Sequence, residues 1–232
     1  MPRTMRRITR GPNLVTQTYE AVCDGIISGV LAPGQRIVLE RLARDLGISP
    51  TPLREAVARL VNEGLFVDGP SRKLHVAPLT PGYVRDTFWV RAALEGLAAE
   101  LAASRITDAD LTLLHHALED ATGALRSSDL AVYVRGDELF HRLIAEAANN
   151  NALLRELDAL KPHVAYIRGY SQRQIGDHLQ QSHREHLVTF GYLRQRDAEQ
   201  ARRSMETHVR NTSERIVRLI EFSGGKDAPP LV

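Results

Sequence analysis

The stretch LARDLGISPTPLREAVARL, residues 42–60, decides how the front of the chain folds. Its apolar residues follow two short helical patterns that are separated at Gly47. Ala43 is small where two helices must cross closely, and Gly47 can adopt the left-handed conformation that a tight turn between helices needs. Pro50 and Pro52 stand in the first turn of the second helix, where a missing N–H costs nothing. The stretch therefore predicts a helix-turn-helix.

The segments on either side extend this motif. A helical pattern begins at Leu14 and ends at Gly29, and LAPGQRI, residues 31–37, indicates a turn followed by a short extended piece. Beyond Gly64, the run FVDGPSRKLHVAPL indicates two short strands around a Gly-Pro-Ser turn. This order of elements is typical of a winged helix-turn-helix, which we predict for residues 14–79. A basic flexible arm, residues 1–13, is expected to precede it.

The predicted front domain offers two groups of DNA-contacting residues. The apolar side chains of the helix-turn-helix form its core, which leaves Ser49, Thr51 and Arg54 exposed at the start of the second helix. In this motif that end enters the major groove, where hydroxyls hold phosphates and an arginine can bind guanine. Arg72 and Lys73 form a basic wing tip. Taken singly, Ser49 is equally well a simple helix cap and Arg54 a surface charge.

Composition narrows the class of protein. Residues 1–80 carry 11 Lys/Arg and 7 Asp/Glu, net +4, which favours a polyanionic partner for the front of the chain. No stretch approaches the roughly 18 apolar residues of a membrane span, and the basic N-terminus has no apolar segment of the secretory type. A single cysteine, Cys23, excludes a disulfide framework within one chain. We therefore expect a cytoplasmic protein without a membrane segment.

After residue 80 the sequence consists of amphipathic helical patterns with short breaks. TDAD (107–110) and SSD (127–129) are rich in N-cap residues, and NNN (149–151) marks a helix end. We predict a mainly α protein whose second domain, residues 80–222, is an antiparallel all-helical bundle, followed by a flexible tail at 223–232. The six predicted helices span residues 83–104, 107–126, 129–148, 151–172, 177–195 and 197–222.

The stretch DELFHRLI, residues 137–144, is the first candidate site in the bundle. Asp137 and His141 lie four apart and share a helix face. His186 and His208 lie on consecutive antiparallel helices at similar depth, so the two imidazoles can face each other. An acid and three imidazoles suit Zn²⁺, Mn²⁺ or Ni²⁺. Spacing alone leaves a surface pair and a buried hydrogen bond open as alternatives, and Glu138 is a rival carboxylate.

Longer stretches of the chain resemble one family. GQRIVLERLARDLGISPTPLREAVARLVNEGLF (34–66) resembles the DNA-binding domain of GntR-family bacterial transcription regulators. VRAALEGLAAELAA (90–103), DELFHRLIAEAANN (137–150) and REHLVTFGYLRQRDAEQARRSMETHV (184–209) resemble the FadR-type, or FCD, effector domain of that family. The chain departs from the family pattern at Pro50, where an arginine is common, and near Lys73, where the wing usually has a glycine. Both departures affect which operator sequence the protein is expected to bind, not whether it binds DNA.

The resemblance implies a metal site and a role for it. Many such effector domains bind a metal through an Asp and a His four apart and through two later histidines, which correspond to Asp137, His141, His186 and His208 here. An open coordination position would accept a small carboxylate effector. His183, three residues before His186, should point away from the metal.

Further residues and partners follow from the same resemblance. Arg91, in the run VRAALE, either pairs with the carboxylate of the effector or with Glu95 four residues on. Asn150 matches a family asparagine near the effector, although capping a helix C-terminus is an alternative role. The implied protein is a homodimer that binds a pseudo-palindromic operator, with repression as the expected effect.

Two other functions compete with a metal-dependent regulator. An enzyme with a di-iron bundle would need two E-x-x-H motifs, and only ELFH (138–141) fits. Mononuclear hydrolysis would need a general base, for which no residue stands out. We therefore expect no enzyme. A regulator that has a structural metal or none, and that senses its ligand directly, remains the alternative.

Overall fold

The computed structural model describes residues 14–69, 72–171 and 178–222. The chain divides into two compact units, one that ends at Pro78 and one that begins at Leu79. The expected arm at 1–13, the expected tail at 223–232 and Ser71 of the wing lie outside the described residues. No described helix is both long and apolar enough to cross a membrane.

The front unit is the predicted winged helix-turn-helix. Gly47 ends the first helix of the helix-turn-helix in the left-handed conformation, with φ of 65°, and its N–H donates back to the carbonyls of Ala43 and Arg44. Leu53, Ala56 and Leu60, on the second helix of the helix-turn-helix, are fully buried. Leu46 and Ile48 are only half-buried. The described elements of this unit are α1 Leu14–Ser28, α2 Leu39–Leu46, α3 Pro50–Asn62, β1 Phe66–Asp68 and β2 Leu74–Val76.

The wing is an antiparallel pair of strands, and an extended segment forms hydrogen bonds along the free edge of β2. Phe66 lies opposite Val76 in the register of β1 and β2. On the other side of β2, the Ile37 N–H donates to the Leu74 carbonyl at 2.8 Å, and the Val76 N–H donates to the Gln35 carbonyl at 2.9 Å. The short extended piece predicted within 31–37 is therefore an edge of this small sheet.

The rear unit is helical wherever it is described between short connections. Its helix starts are set by capping side chains: Thr80 and Asp129 accept N–H bonds, and Thr107 forms a capping box with Asp110. The predicted helix ends agree with the observed ones within two residues. The helices are α4 Pro81–Arg105, α5 Asp108–Ser127, α6 Leu130–Ala147, α7 Asn151–Ser171, α8 His178–Gln195 and α9 Ala198–Phe222.

Helix α4 occupies the middle of this bundle and packs against α6, α7, α8 and α9. Small buried residues allow the close approach, and a side chain at Gly96 would collide with Glu206 of α9. Helices α8 and α9 run antiparallel, because Thr189 contacts Ser204 while Ser182 contacts Arg215. This packing brings α6, α8 and α9 together around one polar cluster in an otherwise apolar interior.

Candidate metal centre and DNA-contact surface

The three residues predicted to contact DNA from the helix-turn-helix lie together. Ser49, Thr51 and Arg54 are all exposed at the N-terminal end of α3. Ser49 occupies the N-cap position with an extended backbone, but its side chain makes no capping hydrogen bond. The hydroxyl is therefore free of the capping role that was the alternative interpretation, and the first turn of α3 presents two hydroxyls and a guanidinium to solvent.

The wing tip positions Arg72 and Lys73 by backbone bonds. The Arg72 N–H donates to the Gly69 carbonyl at 3.1 Å, and Arg72 has a positive φ of 54°. The Gly69 N–H in turn donates to the Lys73 carbonyl at 2.8 Å. Both basic side chains are exposed, so a tight turn carries two cations away from the sheet.

In the rear unit, three of the four predicted metal ligands converge. His141 of α6, His186 of α8 and His208 of α9 each offer a ring nitrogen, and these nitrogens lie within 4.8 Å of one another. The Nε2 atoms of His186 and His208 are 3.0 Å apart. The side chains of His186 and His208 are 2% exposed and that of His141 is 9% exposed, so water does not solvate the cluster freely.

Carboxylates behind two of the imidazoles orient their free nitrogens. Nδ1 of His208 lies 2.8 Å from Oε2 of Glu185. Nδ1 of His141 lies 2.5 Å from Oε2 of Glu95, although the angles do not form a directed hydrogen bond, so we regard this contact as electrostatic. A proton held on Nδ1 of His208 leaves an Nε2 lone pair that points to the cluster. This is the arrangement that backs metal-bound histidines, and the donor set suits a divalent metal ion.

Neither ring nitrogen of His141 forms a hydrogen bond within the described protein, although Nδ1 lies beside Glu95. Nε2 of His141 is buried and has no hydrogen-bond partner among the described residues. A buried polar atom without a partner carries a free-energy cost that is removed when it binds something. The residues present therefore fit a bound cation.

Asp137, the fourth predicted ligand, lies beside the histidines but faces an arginine. Its Oδ2 is 2.6 Å from Nη2 of Arg168, and its Oδ1 is 3.6 Å from Nε2 of His186. Burial alone would raise the pKa of Asp137, but the charge of Arg168 holds it well below its usual range. Asp137 is thus ionised, as a ligand must be, and is shared between Arg168 and the cluster.

Burial keeps the imidazoles of His186 and His208 neutral. It lowers the pKa of His208 to about 4, although the hydrogen bond to Glu185 acts in the opposite direction. Burial and the neighbouring His208 lower the pKa of His186 well below its ordinary value. Neutral imidazoles are the form that binds metal ions.

Sequence reasoning missed the polar groups that support the cluster. Glu185 accepts hydrogen bonds from Asn211 and, at 3.0 and 2.9 Å, from the two terminal nitrogens of Arg215. Burial would raise the pKa of Glu185, but its bonds to His208, Arg215 and Asn211 lower it to about 2. These contacts join α8 and α9 at sequence separations of more than 20 residues, so only the adjacency of Glu185 and His186 was a signal.

A cavity of about 530 Å³ opens beside the cluster, between α4, α6 and α7. His141, Arg91 and Glu95 lie in its wall. Nε of Arg91 donates to Glu95 at 2.6 Å, whereas Nη1 of Arg91 is buried without a hydrogen-bond partner among the described residues. The two roles considered for Arg91 are therefore compatible, because one nitrogen binds Glu95 and another remains available.

Two further predicted residues lie outside the cluster. Asn150 does not line the cavity: its Oδ1 accepts from the N–H groups of Ala152 and Leu153, both at 3.2 Å. The prediction that Asn150 caps a helix C-terminus is wrong, because it caps the N-terminus of α7. Asn149, with φ of 46°, is the residue that ends α6.

The rival residues also have other surroundings. Glu138 is exposed at the cavity wall and does not belong to the histidine cluster. His183 is buried and its Nε2 lies 2.8 Å from the hydroxyl of Thr122 on α5. The side chain of His183 is therefore engaged with a different helix from those that carry the cluster.

Comparison with known proteins agrees with both units. Residues 14–68 match the family described as bacterial regulatory proteins of the gntR family, and residues 86–211 match the FCD domain family. The HTH-type transcriptional repressor RspR of Escherichia coli strain K12 is 28% identical over 203 residues, which cover 86% of this chain and 87% of RspR. The HTH-type transcriptional repressor NanR of Salmonella newport is 29% identical, over 78% of this chain and 76% of NanR.

Solved structures show the same fold. E. coli McbR/YncC has a TM-score of 0.73 at 24% identity, over 89% of this chain and 98% of that chain. A GntR-type putative transcriptional regulator from Rhodococcus sp. RHA1 has a TM-score of 0.64 at 20% identity, over 88% and 97% of the two chains. With the FCD domain spanning more than half of its residues behind a gntR-type helix-turn-helix, the chain belongs to the FCD-domain regulators of the GntR family, which are transcription factors rather than enzymes.

Proposed function

We propose that the FCD domain of this regulator holds a divalent metal ion, Zn²⁺, Ni²⁺ or Mn²⁺, through His141, His186 and His208, with Asp137 as the fourth ligand. The observation that carries the proposal is the convergence of three buried ring nitrogens, two of them on imidazoles backed by carboxylates. Such backing is typical of metal ligands, whereas buried imidazoles without a cation gain little from facing each other.

The ligand of the regulator would be a small organic acid. A bound metal ion supplies a Lewis-acidic position for a carboxylate oxygen. The chain itself supplies Nη1 of Arg91 as a charged donor at the cavity wall, while Glu95 holds both Arg91 and His141 in place. A carboxylate that contacts Arg91 would therefore also touch the histidine cluster, which connects ligand binding to the packing of α4, α6, α8 and α9.

The DNA-binding part of the proposal concerns residues and assembly. We assign operator contacts to Ser49, Thr51 and Arg54 and phosphate contacts to Arg72 and Lys73, because these side chains are exposed at the two places where this motif meets DNA. One short recognition helix reads few bases, so we propose a homodimer on a pseudo-palindromic operator in the bacterial cytoplasm. Repression is the proposed effect, and the relatives RspR and NanR are named repressors.

Metal analysis of the untagged full-length chain tests the central proposal. We expect about one equivalent of metal in the parent and a loss of metal in His141→Ala, His186→Ala and His208→Ala. Asp137→Ala should lose the same amount or less, because its carboxylate is shared with Arg168. His115→Ala is the matched control, since the side chain of His115 is 57% exposed and does not belong to the cluster. Unchanged metal content in all three histidine variants would refute the site.

A second candidate function has its own support. The ion pair between Asp137 and Arg168 and the close contact of His186 with His208 already satisfy part of the cluster without a cation. A regulator with a metal-free pocket would use Arg91 alone to bind the acid. Ligand binding that is unchanged after chelation would favour this candidate.

A further inference from the structure

We propose that the ligand of the cavity between α4, α6 and α7 is a monocarboxylate with an apolar body, such as a medium-chain aliphatic or an aryl acid. This inference rests on the proposed function in one respect, that the ligand is a carboxylate bound at the Arg91 end. It adds the number of anionic groups and the nature of the remainder of the molecule.

The inner end of the cavity offers one strong position for an anion. The side chain of Arg91 is 5% exposed, and its Nη1 has no hydrogen-bond partner among the described residues. A buried guanidinium nitrogen without an acceptor is costly, and a carboxylate satisfies it with a charge-assisted hydrogen bond.

Three of the other four Lys and Arg side chains that line the cavity are already paired with carboxylates. Arg142 pairs with Glu146 at 2.5 Å and with Asp158 at 2.7 Å, and Lys161 pairs with Asp158 at 2.6 Å. Arg168 pairs with Asp137 at 2.6 Å, and Arg135 is exposed to solvent, where an ion pair contributes little. The outer part of the cavity therefore provides no second buried position for an anion.

Between these ends the walls are mostly apolar. Leu154, Leu157, Leu160 and Val164 follow one another at helical spacing along α7, and all are half-buried beside the cavity. Leu139, on α6, lines the cavity although it is 47% exposed. These side chains are the surface that an apolar ligand would remove from water.

The volume excludes the smallest acids as a good fit. The cavity of about 530 Å³ lies within the roughly 300–1,000 Å³ range of sites that bind drug-sized ligands, and water fills it when no ligand is bound. A two- or three-carbon acid bound at Arg91 would leave most of this water against apolar walls. An acid with a body of several methylenes or a ring replaces that water and buries the leucines of α7.

Calorimetric titration of the full-length protein with butyrate, hexanoate, octanoate and suberate tests the inference. Each methylene buried against α7 should tighten binding about two- to four-fold, so octanoate should bind roughly 16-fold or more tightly than butyrate. Suberate has the length of octanoate but a second carboxylate, and it should bind more weakly than octanoate. Equal affinities along the series, tighter binding of suberate, or no binding of any acid would each overturn the inference.

Two variants connect the effect to the cavity wall. Leu157→Gln replaces an apolar wall residue by a polar one of similar size, and it should reduce the ratio of octanoate affinity to butyrate affinity. Leu113→Gln, on α5, is the matched control because Leu113 is 53% exposed and does not line this cavity. An unchanged ratio in Leu157→Gln would locate the apolar contact elsewhere.

Repeating the titrations after chelation separates this inference from the proposed metal site. A chain-length preference that survives chelation supports the apolar ligand and contradicts a metal-dependent effector site. If the protein carries metal but shows no chain-length preference, the metal site is supported and the proposal of an apolar ligand is overturned.

Discussion

The histidine cluster depends on individual protons. His141 and His208 each have a carboxylate behind Nδ1, and Asp137 remains ionised beside Arg168. The cluster therefore combines neutral imidazoles with anionic neighbours in a buried site, where each proton that binds must be accommodated without water. Acid should be more disruptive here than at the exposed histidines of the protein.

We predict that the metal-free protein loses stability as the pH falls from 6.5 towards 4. The folded pKa of His208 is about 4 and that of His186 is well below its ordinary value, whereas unfolded imidazoles take up protons near pH 6.5. The unfolded state then binds more protons than the folded state in this window, so the free energy of unfolding decreases as the pH falls. A second decline should follow below pH 4.5, as the pKa of Glu185 is about 2 in the folded protein.

Denaturant unfolding in chelator at pH 7 and pH 5 measures this effect. His208 alone contributes a loss on the order of 2 kcal/mol between these pH values, from the about 1.4 kcal/mol associated with each pKa unit. His208→Asn, which does not titrate, should show a shallower dependence than the parent. Equal stability of the parent at both pH values would mean that the imidazoles are not held neutral by the fold.

At the residue level, sequence reasoning identified the proposed ligands but not the residues that support them. Helical spacing placed Asp137 and His141 on one face and let His186 face His208, and the resemblance to FCD domains joined the four into one predicted site. Glu95 and Arg168 reach the cluster from α4 and α7, and the register of these helices against α6 depends on packing across the whole bundle. That register is a tertiary property, and no local pattern in the sequence reports it.

The helices themselves were predictable because their ends are local. Thr80, Thr107 and Asp129 accept N–H bonds from residues three positions later, so each start signal lies within a single turn. The helix end predicted at 149–151 is confirmed, and Asn149 has the left-handed conformation there. Only the role of Asn150 was wrong, because Asn is suited both to the left-handed end of one helix and to the cap of the next.

Close packing of α4 on α9 gives a prediction at the level of elements. A Cβ at Gly96 would lie 2.5 Å from Cγ of Glu206, whereas a Cβ at Gly123 of α5 would meet nothing within 4 Å. Gly96→Ala should therefore lower the free energy of unfolding by about 1–3 kcal/mol through overpacking. Gly123→Ala should raise it by up to about 1 kcal/mol, because alanine is the better helix former.

Thermal or denaturant unfolding of the two variants beside the parent is sufficient for this comparison. Both substitutions add the same methyl group to a helix interior, so the difference between them isolates the contact with α9. If Gly96→Ala is as stable as Gly123→Ala, the two helices are less tightly packed than the structure indicates.

The recognition helix and the wing should contribute differently to DNA binding. Arg54→Ala should weaken operator binding by about 1–3 kcal/mol if the guanidinium contacts a base, with folding unaffected because the side chain is exposed. Arg72→Ala should weaken specific and non-specific DNA alike and flatten the salt dependence of binding. Arg203→Ala on α9, 66% exposed, is the control.

Titrations with operator and unrelated DNA at several salt concentrations distinguish these roles. If Arg54→Ala binds the operator as tightly as the parent does, Arg54 does not contact the operator. A loss in Arg72→Ala that is confined to one operator position would mean that the wing reads bases.

For the whole molecule, the two units have separate cores, and this separation governs what metal removal should do. The front unit is built on its own apolar residues, and the rear unit buries long apolar faces of six described helices in addition to the polar cluster. A metal ion at 100 times its dissociation constant stabilises its folded site by about 2.7 kcal/mol, which is a part of the stability of a domain and not its source.

We therefore predict that the chelated protein keeps its helical content by circular dichroism but melts at a lower temperature. Basal DNA binding should largely survive, because Ser49, Thr51, Arg54 and the wing belong to the front unit. The response of DNA binding to an organic acid should vanish, since the acid would lose its contact at the cluster beside Arg91. Restoring Zn²⁺, Ni²⁺ or Mn²⁺ should restore both the melting temperature and the response, and His208→Ala should show neither recovery. Loss of operator binding on chelation alone would mean instead that the metal maintains the DNA-binding state itself.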